Sequence, residues 1–287
     1  MCWWNRVGGS VRRTRSGPRA GARPVDADVA RLPCNPVVTD RMGLLHDVAD
    51  AVAAALRTQR DWGLSGARDG QYALDVSADA AALGVLGRAG VGVLSEESGL
   101  DERGTAEIVV IDPIDGSTNC SRGIPWYATS MCLVDHDGPA VALVVNQASG
   151  VRYSAERGGG AWCDGAPIRA SGCTELREAI IGMNGVPARH LGYQQARVLG
   201  AVALDLCLVA AGVLDGYVDC IHEAHGAWDY AGAVLICREA GARVVDAWDR
   251  DLYTLTHESR RTPVAGATDE LLSSLVEVRR ELGGAPA

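Results

Sequence analysis

Residues 107–119 read Glu-Ile-Val-Val-Ile-Asp-Pro-Ile-Asp-Gly-Ser-Thr-Asn, a short apolar run that ends in two carboxylates and a glycine. Val109, Val110 and Ile111 show no polar alternation, so the run reads as a strand covered on both faces. Asp112 stands where that strand ends, and Pro113 biases it toward an extended backbone. Asp115 comes three residues later, and Gly116 lets the chain turn without a Cβ clash. Hard oxygen ligands on a stiff turn suit Mg²⁺, which tolerates little distortion. Ser117, Thr118 and Asn119 are good helix starters, and the free N–H groups at such a start suit a phosphate. Taken alone, the stretch also admits a bland reading, a turn with two solvated aspartates.

Two other segments change that balance. Ser95-Glu96-Glu97-Ser98-Gly99 follows a second apolar run, Val91 to Leu94, and offers a carboxylate at another strand end. Ala227-Trp228-Asp229-Tyr230-Ala231-Gly232 opens an amphipathic helix with Asp229 in its first turn, where a carboxylate suits the helix dipole and can also face a cation. Together, Glu96, Asp112, Asp115 and Asp229 resemble the inositol monophosphatase family of the fructose-1,6-bisphosphatase superfamily. Its motifs, E-E-S/T, D-P-I/L-D-G-T/S-x-N and W-D-x-A-G, occur here in that order. The resemblance runs from about Leu44 to Leu282.

Composition bounds the function. The chain has 287 residues, which fits one large α/β domain or two closely joined halves. A net charge of -9 and a pI near 5.2 argue against a general binder of nucleic acid or membrane surfaces. No apolar run reaches the roughly 18 residues of a membrane-spanning helix. Nine cysteines are scattered without a C-x-x-C pair, and Cys132, Cys207 and Cys237 lie in apolar runs, so disulfides and a zinc cluster are disfavoured and a cytoplasmic setting is the expectation. The chain contains neither lysine nor phenylalanine, so every fixed cation at a site must be arginine, histidine or metal.

Residues 1–41 are arginine-rich, acid-poor and interrupted by Pro18, Pro24, Pro33 and Pro36. They read as a disordered extension or as translation assigned upstream of Met42, with a transit peptide or an arm for an acidic partner as alternatives. From Met42 the pattern is helical, with Leu45, Val48, Ala49, Val52 and Leu56 on one face to about Arg60. A second helix is expected over Ser77–Arg88. Strands follow near Val91–Leu94, Ile108–Ile111, Ala128–Val134, Ala140–Val145, Gly150–Glu156 and Gly160–Cys163. Val198–Val213 reads as a buried helix, Gly216–Asp219 as a strand, Trp228–Ala240 as a helix and Arg243–Asp246 as a strand. Thr268 would cap a last helix to Leu282. This is layered α/β packing, which the resemblance sharpens to an αβαβα sandwich in a catalytic domain spanning 42–287.

The resemblance implies a Mg²⁺-dependent, lithium-sensitive phosphate monoesterase using two to three ions and assembled as a homodimer. Glu96 and Asp112, with the Ile114 carbonyl, would hold one ion; Asp112, Asp115 and Asp229 a second. The N–H groups of Gly116 and Ser117 would bind phosphate. Asp75-Val-Ser-Ala-Asp79 resembles the family's V-T-x-x-D element, with Ser77 for threonine, so Asp79 and the Ser117 hydroxyl would position water, with Asp75 as the rival to Asp79. Val202 would border the sugar and Asp219 would bind its hydroxyls, although the loop from Cys220 to Ala227 is longer than the family's. His222 and His225 in that loop read as surface residues, Trp228 as a packing anchor, and Arg197 as either a phosphate contact or a solvated helix residue. Met183-Asn184-Gly185 is expected at a strand end, lining the pocket. Inositol-1-phosphate leads as substrate; fructose-1,6-bisphosphate, 3′-phosphoadenosine-5′-phosphate and histidinol phosphate are alternatives. A non-catalytic interaction protein on the same fold is the remaining reading.

Overall fold

In a computed structural model, which describes residues 29–32, 38–68 and 70–283, the strand quoted above has hydrogen-bonded neighbours on both sides. Helices α1 (Arg41–Thr58) and α2 (Ala73–Ala89) precede β1 (Gly92–Ser95), β2 (Gly99–Asp101) and β3 (Ile108–Asp115). The short helix α3 (Ser117–Ser121) leads to β4 (Ala128–Asp135), β5 (Gly138–Asn146), β6 (Arg152–Glu156), β7 (Gly160–Cys163) and β8 (Ala166–Pro167). The second half holds β9 (Ile180–Asn184), β10 (Gln195–Arg197), α4 (Val202–Ala210) and β11 (Gly216–Asp219). It ends with α5 (Ala227–Ala240), β12 (Arg243–Asp246), β13 (Pro263–Gly266) and α6 (Asp269–Glu281).

One sheet runs β2-β1-β3-β4-β5-β6-β7-β8 and the other β10-β9-β11-β13-β12. Helices α1 and α2 cover the outer face of the larger sheet, α4 and α5 lie between the sheets, and α6 covers the far face of the smaller one. The result is the five-layer αβαβα sandwich. Its position explains each helix's composition. α1 buries one stripe, Leu44, Leu45, Val48, Ala49 and Val52, whereas α5 is apolar nearly all round because sheets lie on both sides. α6 buries Leu271, Leu272 and Leu275, and the Thr268 hydroxyl accepts from Leu271 N at 3.2 Å, as expected of the cap.

Several boundaries differ from the sequence reading. α2 starts four residues before Ser77, because Asp75 rather than Ser77 serves its N-terminus: the Asp75 carboxylate accepts from Tyr72 N at 2.8 Å. Asp79 is thereby carried into the helix interior. α4 is shorter than expected, and Arg197 lies on strand β10, exposed, rather than on a helix. The strands β2, β10 and β13, each of three or four residues, carried too little periodicity to be read.

The chain before Met42 takes part in packing. Val29 is buried in the core between the sheets. Val38 N donates to Glu107 Oε2 at 2.9 Å, and Arg41 Nε donates to Glu107 Oε1 at 2.7 Å, with Glu107 wholly buried. Arg41 also reaches Asp135 at 3.2 Å. Residues 1–28 and 33–37 lie outside the described residues. We propose that the folded unit begins before Met42. Arg41→Ala should lower the urea midpoint, since one partner of a buried charge is lost; an unchanged midpoint would show that Glu107 is satisfied without it.

Candidate metal centre

The site is built at a break in β3. Alternate residues of a regular strand share a face, so carboxylates three apart would point oppositely. The pairing of β3 with β4 shifts between Asp112 and Asp115, a bulge that offsets this alternation. Thr129 Oγ1 donates to the Pro113 carbonyl at 2.9 Å, and Ile114 N donates to Asp112 Oδ1 at 2.8 Å, which fixes the irregular segment. Gly116 follows at φ +86, where a Cβ would stand 3.0 Å from the carbonyl oxygens of Gly200 and Trp126, so the turn admits only glycine. Asn119 Nδ2 donates to Trp126 O and Leu199 O at 2.8 Å each, tying α3 to the segment that enters α4. At the start of α4, Ala203 N donates to Asp115 Oδ2 at 2.7 Å.

The other two motifs arrive by different routes. β1 runs parallel to β3 with Ser95 opposite Ile111, and Glu96 N donates to the Ile111 carbonyl at 3.2 Å, which sets Glu96 beside Asp112. Asp229 sits in the first turn of α5, its Oδ2 accepting from Gly226 N at 2.9 Å. One carboxylate oxygen from each of Glu96, Asp112 and Asp229 lies within 4.8 Å of the other two. Asp115 stands outside that trio, bound to the α4 N-terminus, although its charge bears on Asp112.

Burial, then the charges of Asp229 and Glu97, push the Glu96 carboxyl up to about 8. Burial and the neighbouring carboxylates hold Asp112 and Asp115 well above the usual range. Among the described residues, no arginine pairs with any of these four. A divalent cation would relieve the repulsion, and a donor set made only of carboxylate oxygens suits Mg²⁺ rather than a soft metal. Asp135, His136 and Asp137 also approach one another, but Asp135 is neutralised by Arg157 and Arg41.

The remaining candidates fall into different places. Asp79 is buried and accepts from Ser95 Oγ at 2.6 Å and Ser98 Oγ at 3.4 Å, so it braces the turn that carries Glu96. Asp75 bears electrostatically on Glu96 and Asp112, and burial raises its own carboxyl to about 7. Ser117 opens α3, half-buried. Ile114 is buried within the bulge, and the Val202 side chain is buried in the core at the start of α4. Trp228 is buried, with the His257 ring tilted against it at 4.6 Å and Arg260 over it at 5.0 Å.

Two expectations change. Asp219, expected at the substrate, has no exposed surface: Asn184 Nδ2 and Ile221 N donate to its Oδ1 at 3.1 and 3.0 Å. His225, read as a surface residue, lies inside the site, with Nδ1 3.1 Å from Asp229 Oδ2 and Nε2 3.5 Å from Asp219 Oδ2. Burial disfavours its charged form, but the hydrogen bond and charge of Asp229, followed by Asp219, outweigh that and raise it to about 9. The four-residue spacing to Asp229 was the available signal. His222 is exposed, as expected.

The profile of the inositol monophosphatase family matches residues 41–283. A fructose-1,6-bisphosphatase/inositol-1-monophosphatase of Thermococcus kodakarensis is 34% identical over 197 residues, covering 67% of this chain and 76% of the relative. An inositol-1-monophosphatase of Mesorhizobium japonicum is 38% identical over 178 residues, 55% of this chain and 64% of that protein. A solved Pyrococcus horikoshii protein with similarities to inositol-1 monophosphatase superposes with TM-score 0.72 at 26% identity, covering 83% of this chain and 95% of its own.

The carboxyl shifts have a measurable sign. A folded-state pKa raised above the unfolded value means the native state holds more protons, so stability falls as pH rises. With chelator present, stability should decline from near the ordinary carboxyl value of 4.5 up to about 8, the window of Glu96. Adding Mg²⁺ should restore stability and flatten the slope. Thermal melts at pH 5, 6, 7 and 8 check this, and a flat profile in chelator would show that the carboxylates are not crowded.

Proposed function

Because the chain belongs to the inositol monophosphatase family, and with it to the phosphoric monoester hydrolases, we propose that it is a Mg²⁺-dependent phosphatase of inositol-1-phosphate or a related sugar phosphate. The observation that carries this reading is the convergence of oxygen atoms from Glu96, Asp112 and Asp229. A phosphate monoester is anionic and repels hydroxide, so its hydrolysis needs charge neutralisation and an oriented water. Glu96, Asp112 and the Ile114 carbonyl would hold one Mg²⁺, with Asp112, Asp115 and Asp229 around a second and a weaker third near Glu96. Bound there, the metal supplies Lewis acidity and a more acidic water.

The chain's own groups then have distinct tasks. The N–H groups of Gly116 and Ser117, at the start of α3, would orient the ester's phosphate oxygens. Asp115 accepts from Ala203 N and stands outside the closest trio, so it would have to swing toward Asp112 and Asp229 to share the second ion. Of the two carboxylates on α2, Asp75 is the better supported for orienting water. Its carboxyl, raised to about 7 by burial, bears on Glu96 and Asp112, while its Oδ2 accepts from Tyr72 N; Asp79, also raised by burial, is held by Ser95 and Ser98 and remains the alternative. Val202 would contribute backbone rather than side chain to the pocket wall, since its side chain is in the core. Mg²⁺ as the metal, a homodimer and a cytoplasmic setting belong to the same reading. They are supported by the all-oxygen donor set, by the family, and by the buried thiols of Cys132, Cys207 and Cys237. No described helix is long and apolar enough to cross a membrane.

Phosphate release from inositol-1-phosphate, fructose-1,6-bisphosphate, 3′-phosphoadenosine-5′-phosphate and histidinol phosphate tests the proposal. Turnover should require Mg²⁺ and favour inositol-1-phosphate or the sugar bisphosphate. Asp112→Asn should lower kcat/KM by on the order of a hundredfold or more, as loss of a metal-positioning carboxylate does. Turnover that persists in chelator would overturn the metal-dependent reading.

A further inference from the structure

β11 ends at Asp219, and the next seven residues return the chain to the head of α5. That return is a built loop. Ile221 N donates to Asp219 Oδ1, Glu223 N donates to Thr262 Oγ1 at 3.1 Å, and Arg250 pairs with Glu223 at 2.6 Å. His225 is pinned at its backbone, since Arg261 N donates to the His225 carbonyl at 2.8 Å and His225 N donates back at 3.4 Å. Its imidazole is therefore delivered by an anchored segment, and only 14% of the side chain is exposed.

The ring lies between two carboxylates. Its Nδ1 binds Asp229 Oδ2, the same oxygen that accepts from Gly226 N, so both bonds hold one oxygen of that carboxylate. Its Nε2 lies 3.2 Å from Asn184 Nδ2 and 3.5 Å from Asp219 Oδ2. Asp219 Oδ2 is fully buried and has no hydrogen-bond partner among the described residues; 3.5 Å is an ion-pair distance rather than a hydrogen bond. With Oδ1 already accepting two bonds, the unpartnered oxygen faces the imidazole and nothing in solvent.

We propose that His225 is a positioning residue, oriented from behind by Asp219, whose carboxylate Asn184 holds, which fixes the Asp229 carboxylate for metal binding and removes Asp219 from contact with substrate. The reason is geometric: a carboxylate with no exposed surface cannot meet a sugar hydroxyl, and the group covering it is the imidazole. Outer partners that orient a metal-binding carboxylate are worth roughly 10–100-fold in metal affinity. The proposal rests on the metal-dependent reading above, but its readout does not require turnover.

The test is Mg²⁺ titration by calorimetry on the full chain, with steady-state KM and kcat measured alongside for the best ester of the panel. His225→Ala should weaken Mg²⁺ binding about 10–100-fold with KM for the ester within about twofold. Asp219→Asn should weaken Mg²⁺ binding in the same direction by a smaller factor, again with little change in KM. His225→Gln, which keeps an amide donor of similar reach, should recover part of the loss. It also serves as the probe if His225→Ala fails to fold by circular dichroism. An Asp219→Asn variant with Mg²⁺ binding intact and KM raised about tenfold, the scale of one lost charged hydrogen bond, would overturn the proposal by showing that this acid touches substrate. Unaltered Mg²⁺ binding in the folded His225 variants would also overturn it. If the wild-type chain binds Mg²⁺ yet hydrolyses no ester, the phosphatase reading fails while the isotherms still judge His225. If it binds no Mg²⁺, both fail.

Discussion

Four carboxylates gathered in a largely buried space, with no arginine among the described residues paired to any of them and His225 beside Asp229, constitute the constraint around which this molecule is organised. Like charges in a low-dielectric setting repel, and burial raises the cost of each. The arrangement is expensive for the apo chain and becomes favourable when a cation enters. The Glu96 carboxyl near 8 and the elevated Asp112 and Asp115 express that cost. A core assembled for stability alone would not retain it.

Three layers of the sandwich each contribute one part of the frame that holds the carboxylates together. The larger sheet supplies Asp112 and Asp115 across a bulge, and its parallel neighbour β1 brings Glu96 alongside. The middle helical layer supplies Asp229 from the head of α5 and an N–H from the head of α4. The smaller sheet reaches the site through Asp219 and Asn184 at the ends of adjacent parallel strands, paired in register. Gly116 and Asn119 lock the two halves at one point, because the first leaves room for the Gly200 carbonyl and the second bonds Leu199 O. The site is therefore a junction of elements distant in sequence, and its accuracy depends on the packing of all of them.

Much of this was legible in the sequence because the signals were local. The apolar run into Asp112, the glycine at 116 and the helix-opening Asp229 each declare their setting within a few residues. The heptad-like stripe of α1 and the Thr268 cap did the same. What escaped reading depended on contacts across the chain. The start of α2 turned on which of two acidic residues caps it, and Asp75 did so. Asp219 looked accessible because a strand end usually is, yet a loop from the same chain covers it. His225 had a readable spacing to Asp229, but its burial is created by the bridge to Arg261, thirty-six residues away in sequence. The separation of Asp115 from the closest trio likewise follows from its bond to Ala203.

The most direct test of the central claim is a crystal soaked with Mn²⁺, an ion of similar ligand preference to Mg²⁺ whose anomalous scattering locates it without assumption. The account predicts an anomalous peak between Glu96, Asp112 and Asp229, with the His225 ring still seated on Asp229. A crystal that takes up no ion there, or places its ion away from these carboxylates, would contradict it.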